Sequence, residues 1–96
     1  MLTGKQKSYL RGLAHNLQPI IQVGKLGIND MLLRTVDDAL EARELIKVSV
    51  LQNCLEAPKT VGEAIASETE ADLVQVIGRT LVFYRESVNK KEIKLP

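Results

Sequence analysis

The chain has 96 residues, of which 45% are hydrophobic and 26% charged, a composition typical of one globular domain and not of a disordered or multidomain protein. Cys54 is its one cysteine and His15 its one histidine, which excludes an intrachain disulfide and leaves too few ligands for a Cys/His metal site. No apolar run is long enough for a signal peptide or a membrane span. We therefore expect a cytoplasmic protein that uses no cofactor or metal.

The net charge of +1 conceals a segregation of charge along the chain. Residues 1–34 carry a net charge of +4, residues 35–72 a net charge of −6, and residues 73–96 a net charge of +3. A fold that joins the two basic segments would present one basic side, which indicates an anionic partner. Solvated charge without any partner is the alternative that composition leaves open.

The first predicted helix spans residues 3–17. Thr3 and Gln6 have the spacing of a capping box, in which each side chain satisfies a backbone donor of the first turn. Apolar residues recur at helical spacing and are expected to face the core; they are Leu10, Leu13, Ala14 and Leu17. Basic residues four positions apart form a neighbouring stripe, with Lys5 beside it; they are Lys7, Arg11 and His15.

Two predicted strands flank the second helix. Pro19 ends the first helix, and residues 20–23 form the first strand. The second helix spans residues 29–42 with Asn29 as its N-cap. Apolar and polar residues alternate within residues 45–51, which predicts the second strand.

The last part of the chain is predicted to contain a short helix and a hairpin. Thr60 and Glu63 have the spacing of a second capping box, at the start of a helix over residues 60–68. The hairpin consists of residues 72–77, the connection Gly78-Arg79-Thr80, and residues 81–85. The basic residues 89–96 are expected to fray or to add a short edge strand.

The predicted order is therefore helix-strand-helix-strand-helix-strand-strand. Strand–helix–strand units favour parallel pairing with right-handed crossovers, whereas the last two strands must pair antiparallel. We expect an α/β protein with a mixed sheet of about four strands, folded as a compact two-layer sandwich and as one domain over residues 1–96.

The four residues Gly24-Lys25-Leu26-Gly27 lie between the first strand and the second helix. Glycine lets the backbone approach a ligand closely, Lys25 adds a positive charge, and the N-terminus of the following helix favours anions. This pattern predicts a loop that approaches phosphate groups. It is much less specific than a nucleotide-binding P-loop, because the ending in Lys and Ser or Thr is absent and strand-to-helix turns often contain glycine.

A second candidate phosphate contact is Arg79. If the first hairpin strand runs parallel to the first strand of the chain, Arg79 and Lys25 border one groove at the same end of the sheet, and the basic stripe extends it. Arg85 has two possible roles, as an RNA contact or as a structural ion-pair partner.

Because aromatic residues make up only 3% of the chain, no stacking platform is visible, which favours recognition of structured RNA through its backbone and shape.

No catalytic residues are predicted. His15 lies among positive charges that disfavour its protonated form, Cys54 has no histidine partner, and the serines lack a nucleophile-elbow motif. The carboxylates of residues 37–44 are interpreted as solvated side chains on an exposed helix face.

Six segments and Pro19, spread over nearly all of the chain, carry a resemblance to a known family. The segments are Leu2-Thr3-Gly4-Lys5-Gln6-Lys7, Leu10-Arg11-Gly12-Leu13-Ala14-His15, Val23-Gly24-Lys25-Leu26-Gly27, Ala39-Leu40-Glu41, Glu44-Leu45-Ile46-Lys47-Val48 and Val76-Ile77-Gly78-Arg79-Thr80-Leu81-Val82-Phe83-Tyr84-Arg85. Together they resemble the CRM domain (chloroplast RNA splicing and ribosome maturation), in the form of its short, stand-alone YhbY-type members. Asn29 and Phe83 replace a threonine and a leucine that are common in the family, and both keep the expected role.

The resemblance implies an RNA-binding protein whose fold is similar to the C-terminal domain of translation initiation factor three. It also implies action on precursors of the large ribosomal subunit, with RNA contacts at the glycine-rich loop and on the basic first helix. The candidate RNA-binding residues are Lys5, Lys7, Arg11, His15, Gly24, Lys25, Leu26, Gly27, Arg34 and Arg79.

The expected partner is ribosomal RNA, with ribosomal proteins as further candidates and with neither a membrane nor a small-molecule substrate. Two other functions stay open at this point. One is an adaptor whose acidic middle segment docks a basic protein, and the other is an RNA chaperone or splicing-type factor for other transcripts.

Overall fold

Seven secondary-structure elements follow one another in the predicted order in the computed structural model, which describes residues 2–96. The helices are α1 (Gly4–Ala14), α2 (Asp30–Arg43) and α3 (Pro58–Thr69), and the strands are β1 (Pro19–Val23), β2 (Leu45–Val50), β3 (Asp72–Ile77) and β4 (Thr80–Tyr84). No helix in this described part of the chain is both long and apolar enough to cross a membrane. The predicted α/β class is confirmed.

The four strands form one mixed sheet in the order β1-β2-β4-β3. β1 runs parallel to β2, and β4 runs antiparallel to both of its neighbours. β3 therefore runs in the same direction as β1. We call the end of the sheet where β1 and β3 finish the turn end, and the opposite end, where Leu45 pairs with Tyr84, the tail end.

Helices cover both faces of the sheet, because side chains alternate along each strand. Ile46, Val48 and Phe83 belong to the larger core, which lies beneath α2 and α3. Leu45 belongs to a second core on the opposite face, together with Leu10 of α1. The helix α1 thus adds a third layer to the two that were expected.

The capping box at the start of α1 is confirmed. The Gln6 N–H donates to Thr3 Oγ1 (3.1 Å), and the Thr3 N–H donates to Gln6 Oε1 (3.0 Å). α1 ends at Ala14 and not at residue 17. The chain has to become extended before Pro19, because a proline disfavours the helical conformation in the residue that precedes it.

The prediction that the third helix begins at Thr60 is wrong. α3 begins at Pro58, and its N-cap, Ala57, forms no side-chain hydrogen bond. Proline suits the first helical position, because its ring fixes φ near the helical value and the N–H that it lacks would have no helical partner there. Thr60 and Glu63 consequently lie inside α3.

Two glutamates at the C-terminal end of α2 hold residues 87–96, which we call the tail. Glu41 accepts hydrogen bonds from the Ser87 hydroxyl (2.7 Å) and from the N–H groups of Val88 (3.0 Å) and Asn89 (2.9 Å). The interpretation of this carboxylate as a solvated side chain is wrong, because its oxygen atoms serve three donors of the tail.

Glu44 is the second anchor and is fully buried. Its carboxylate accepts hydrogen bonds from the N–H groups of Ser87, Glu92 and Ile93, each at 2.8 Å. Burial by itself raises the pKa of Glu44, but these donors outweigh burial and leave the pKa below its ordinary value. The residue also has a φ of +65°, which is costly for a side chain with a Cβ. The interpretation of Glu44 as a solvated residue is therefore wrong as well.

The tail forms neither a free end nor an edge strand. Ile93 and Leu95 pack against the core beneath α1, and the Gln6 side-chain amide donates to the Pro96 carbonyl oxygen (3.2 Å). The tail therefore runs along α1 at the tail end of the sheet.

Arg85, whose role was open between two alternatives, is a structural residue. Its Nη1 atom forms an ion pair with Asp37 Oδ1 and donates to the Thr69 carbonyl oxygen (2.9 Å), while its Nη2 atom donates to the Asp37 carbonyl oxygen (3.0 Å). One guanidinium group thus joins α2 to the C-terminal end of α3, just after β4 ends. Asp37 is partly exposed but is not simply a solvated carboxylate.

Replacing Glu41 with glutamine is expected to reduce the loss of stability that occurs as the pH falls into the acid range. Hydrogen bonds from the Val88 N–H, the Ser87 hydroxyl and the Asn89 N–H lower the pKa of Glu41 from 4.5 to about 2. The stabilisation from Glu41 is therefore complete above the ordinary pKa and is lost as the pH falls from 4.5 towards about 2. Urea unfolding at several pH values across this range measures the free energy of unfolding of both proteins.

The matched control is Glu63→Gln, which changes an exposed glutamate of α3. The control should keep the steep loss of stability in acid that the wild type shows. An equally steep loss in Glu41→Gln would contradict the anchoring role of this carboxylate.

Candidate nucleic-acid interface

The glycine-rich turn, residues 24–27, lies at the turn end of the sheet between β1 and α2. The Gly27 N–H donates a hydrogen bond to the Gly24 carbonyl oxygen (3.0 Å), which closes a tight turn. Lys25 and Leu26 form its tip, where Lys25 is exposed and Leu26 is 86% exposed. The tip therefore presents one positive charge and one apolar side chain to solvent.

The two glycines of the turn have different structural requirements. Gly27 has a φ of +66°, a conformation that glycine adopts without the clash that a Cβ causes. A Cβ at Gly24 would lie 3.6 Å from Asn53 Oδ1 and from Leu51 Cδ1, which is ordinary van der Waals contact. The backbone therefore requires glycine at position 27, whereas at position 24 glycine mainly keeps the backbone accessible.

The N-terminus of α2, next to the turn, already has internal partners. Asn29 is the N-cap, as predicted, and its Oδ1 atom accepts a hydrogen bond from the Leu32 N–H (2.8 Å). Asp30 adds a negative charge in the first turn. Both groups oppose the attraction of this helix end for anions, so the positive charge beside the turn comes from Lys25.

A depression of about 480 Å³ lies beside the turn, and we call it the turn depression. Its lining is mainly apolar and contains no carboxylate from residues 2–96, although the chain has 12 Asp and Glu residues. Exposed apolar side chains line it, among them Met31, which is 77% exposed, and Ile20, which is 44% exposed. Such a cluster of exposed apolar side chains is typical of a binding surface.

Arg79 also lies at the turn end of the sheet, because β3 and β1 run in the same direction. Its Nε atom donates to the Val50 carbonyl oxygen (2.8 Å), and its Nη2 atom donates to the Leu51 carbonyl oxygen (2.6 Å). The guanidinium group is half-buried and holds the end of β2. Its two Nη1 donors and the second Nη2 donor form no hydrogen bond with residues 2–96.

The basic residues of α1 lie towards the other end of the sheet. α1 packs on the core that contains Leu45 and Tyr84, at the tail end, whereas the glycine-rich turn follows the opposite end of β1. Along β2, from Leu45 to Val50, these ends are separated by about 17 Å at roughly 3.4 Å per residue. No residue of α1 lines the turn depression, and we therefore describe the cations of the turn and of α1 as two basic regions.

The basic residues of α1 and its C-cap, His15, occupy the flank that the tail leaves open. With about 100° of rotation per residue, Lys7, Arg11 and His15 share one flank, and Gln6, which binds the tail, lies on the other. Arg11 and His15 are exposed, and Lys7 is half-buried. Lys5 is exposed near the start of the helix. We call Lys7, Arg11 and His15 the basic flank.

Arg34 is separate from both regions. It is exposed on α2, but it lies on the side of the helix opposite the core residues Val36 and Leu40, and it does not line the turn depression.

Two cations that the sequence reasoning missed, Arg43 and Lys47, line a second, smaller depression of about 150 Å³, which we call the strand depression. Both belong to the acidic segment 35–72. Alternation along β2 could have identified Lys47, because its neighbours Ile46 and Val48 both point into the core on the other face.

The fold and the turn define an α/β domain with an exposed GxxG motif between its first strand and second helix. Residues 2–85 match the family model described as the CRS1/YhbY (CRM) domain, and the chain belongs to this family. The resemblance noted in the sequence is thereby confirmed.

Several relatives match the chain over nearly its whole length. It is 57% identical over 96 residues to the "Probable RNA-binding protein YqeI" of Bacillus subtilis, covering 100% of both chains. It is 43% identical over 95 residues to an "RNA-binding protein" of Haemophilus influenzae, covering 99% of this chain and 95% of that protein. The solution structure of the hypothetical protein SAV1595 from Staphylococcus aureus matches with a TM-score of 0.84 and 57% identity, covering 100% of both chains.

Alanine substitutions should separate the roles of the two turn glycines. Gly27→Ala is expected to lower the free energy of unfolding by about 1–2 kcal/mol, because alanine is strained at positive φ. Gly24→Ala should change it by less than about 0.5 kcal/mol, because the added Cβ meets only ordinary contacts. Urea denaturation of both variants measures the difference, and equal destabilisation would contradict this account of the turn.

Proposed function

We propose that this protein binds ribosomal RNA in precursors of the large ribosomal subunit, with the glycine-rich turn as the central contact. Membership of the CRM family and the printed names of the Bacillus subtilis and Haemophilus influenzae relatives support RNA as the ligand. The family resemblance seen in the sequence motifs adds the large-subunit precursor as the target.

The observation that carries the proposal is an exposed cationic tip beside a depression without carboxylates. Lys25 neutralises a phosphate group, and the glycines on either side of the tip let the RNA backbone come close. Leu26 and Met31 are largely exposed next to this charge. An apolar surface beside a phosphate contact suits a sugar or a base.

The basic flank of α1 provides a second contact region. It lies on α1, whose residues do not line the turn depression, so one RNA that contacts both regions has to extend beyond that depression. A large folded RNA with several segments close together fits this spacing. Lys7 and Arg11 contact phosphates there, and His15 lies beside them as a further contact.

The remaining cations have smaller roles in this proposal. Arg79 reaches RNA only through the guanidinium donors that do not hold β2, which are the two on Nη1 and the second one on Nη2. Lys5 and Arg34 are exposed outside the two contact regions and add to the long-range attraction for a polyanion.

Replacing Lys25 with alanine should weaken binding to a ribosomal RNA fragment several-fold and reduce its salt dependence. Each lost phosphate contact lowers the slope of log K against log salt concentration by about 0.7–0.9. Fluorescence anisotropy titrations at several salt concentrations measure both quantities. The matched control is Lys59→Ala, which removes the same charge from the exposed surface of α3; equal effects of the two variants would contradict a local contact at the turn.

The identity of the RNA is tested by crosslinking in cells followed by sequencing of the bound RNA. Precursor ribosomal RNA of the large subunit should be enriched, and Lys25→Ala should reduce the yield. Enrichment of other transcripts would instead indicate an RNA chaperone. Ribosomal proteins that stay bound after ribonuclease treatment would instead indicate an adaptor.

A further inference from the structure

The turn depression does not end at the turn, because it shares Ile20 with the strand depression. Leu17, Arg43 and Leu45 line the strand depression and also a third depression, of about 350 Å³, that reaches α1 and the tail. The three depressions therefore follow one another from the turn end to the tail end of the sheet. They lead from the glycine-rich turn to the tail side of α1, where Leu13 and Ile93 line the third depression.

Positive charge continues along this path. Lys47 is half-buried and Arg43 is exposed, and neither forms an ion pair or a side-chain hydrogen bond with any of residues 2–96. No carboxylate from these residues lines the turn depression or the strand depression. Glu92 lines only the third depression. In a chain whose middle segment is acidic, two unpaired cations beside two depressions without carboxylates fit a polyanion.

The surface between Lys25 of the turn and the two cations Lys47 and Arg43 is apolar. Ile20 is 44% exposed although it lies in a strand, and Leu17 is half-buried beside it. A duplex keeps its bases stacked inside and presents sugar and phosphate, whereas an unpaired strand can place its bases on an apolar surface and its phosphates against cations.

We infer that an unpaired stretch of RNA leaves the glycine-rich turn, crosses Ile20 and reaches Lys47 and Arg43, whose side chains bind its phosphates. This inference rests on the proposed function, and it adds the kind of RNA and two contact residues. The aliphatic surface offers no aromatic stacking, so binding depends little on base identity.

A peptide strand is the rival occupant, because β1 is an edge strand with one free side. Two features of β1 disfavour such pairing. Pro19 has no N–H to donate, and the register of β1 shifts between Pro19 and Ile21, and irregular edges of this kind hinder strand addition. Two unpaired cations are also not needed for backbone pairing.

The test measures the affinity of non-pairing oligoribonucleotides of two lengths. An oligonucleotide of about four nucleotides occupies the turn alone, as at other GxxG turns, and one of about ten reaches the strand depression, within the range of single-strand binding sites. Arg43→Gln and Lys47→Gln should each weaken binding of the longer RNA at least threefold and lower its salt slope by about 0.7. Binding of the shorter RNA should be unchanged.

Two controls make the result specific. Lys59→Gln, on α3, should leave both affinities unchanged, and Lys25→Ala should weaken both. Arg43 is exposed, so its replacement keeps the fold even if Lys47→Gln is destabilised, and thermal unfolding verifies this.

Three results would overturn the inference. If both variants bind the longer RNA as the wild type does while Lys25→Ala does not, the contact ends at the turn and the proposed function stands. If the wild type binds duplex ribosomal RNA but neither oligonucleotide, the ligand is not an unpaired strand, and the proposed function again stands. If the wild type binds no RNA, both fail.

Discussion

The position of β1 at the edge of the sheet is the constraint on which the candidate site depends. β4 pairs with the far side of β2, so β1 has a single neighbour, and the Leu51 N–H, which donates to the Val23 carbonyl oxygen (2.8 Å), continues that pairing to the end of the strand. The turn that follows is therefore held on one side and open on the other. The exposed face of Ile20 and the carboxylate-free depression both result from this arrangement, which a strand on the outer side of β1 would remove.

The carboxylates at the end of α2 determine where the remaining charges lie. Glu41 and Glu44 accept hydrogen bonds from backbone N–H groups of the tail, and the Asp37 carboxylate accepts one from Arg85. Part of the acidic middle segment therefore has hydrogen-bond and ion-pair partners within the protein itself, which leaves less acidic surface for a basic protein partner. It also fixes a basic tail beside one flank of α1, so the cations on the other flank stay free. The strained backbone of Glu44 fits this role, because the surrounding contacts have to compensate for it.

Local signals in the sequence were sufficient for the element order, the cap of α1 and the N-cap Asn29, because each depends on residues a few positions apart. The features that the sequence did not predict depend on contacts distant along the chain. Nothing near Glu44 indicates that its partners lie in the tail, and nothing near Arg85 indicates the Thr69 carbonyl. The cations of the candidate site illustrate both cases. Lys25 stands out within its motif, whereas Lys47 becomes a candidate only when β1 and β2 pair and bring it beside Ile20.

The separation of the two basic regions constrains how RNA binds more strongly than the turn does. The turn depression is lined by no residue of α1, so RNA reaches the basic flank by a path outside that depression. RNA could contact only the turn and the basic flank, or a strand could also follow β1 through the strand depression. Lys47 and Arg43 line the strand depression without partners among residues 2–96, and the first arrangement would leave them without a ligand. A continuous strand accounts for these cations, for the exposed Ile20 between them and the turn, and for the absence of carboxylates along that part of the surface.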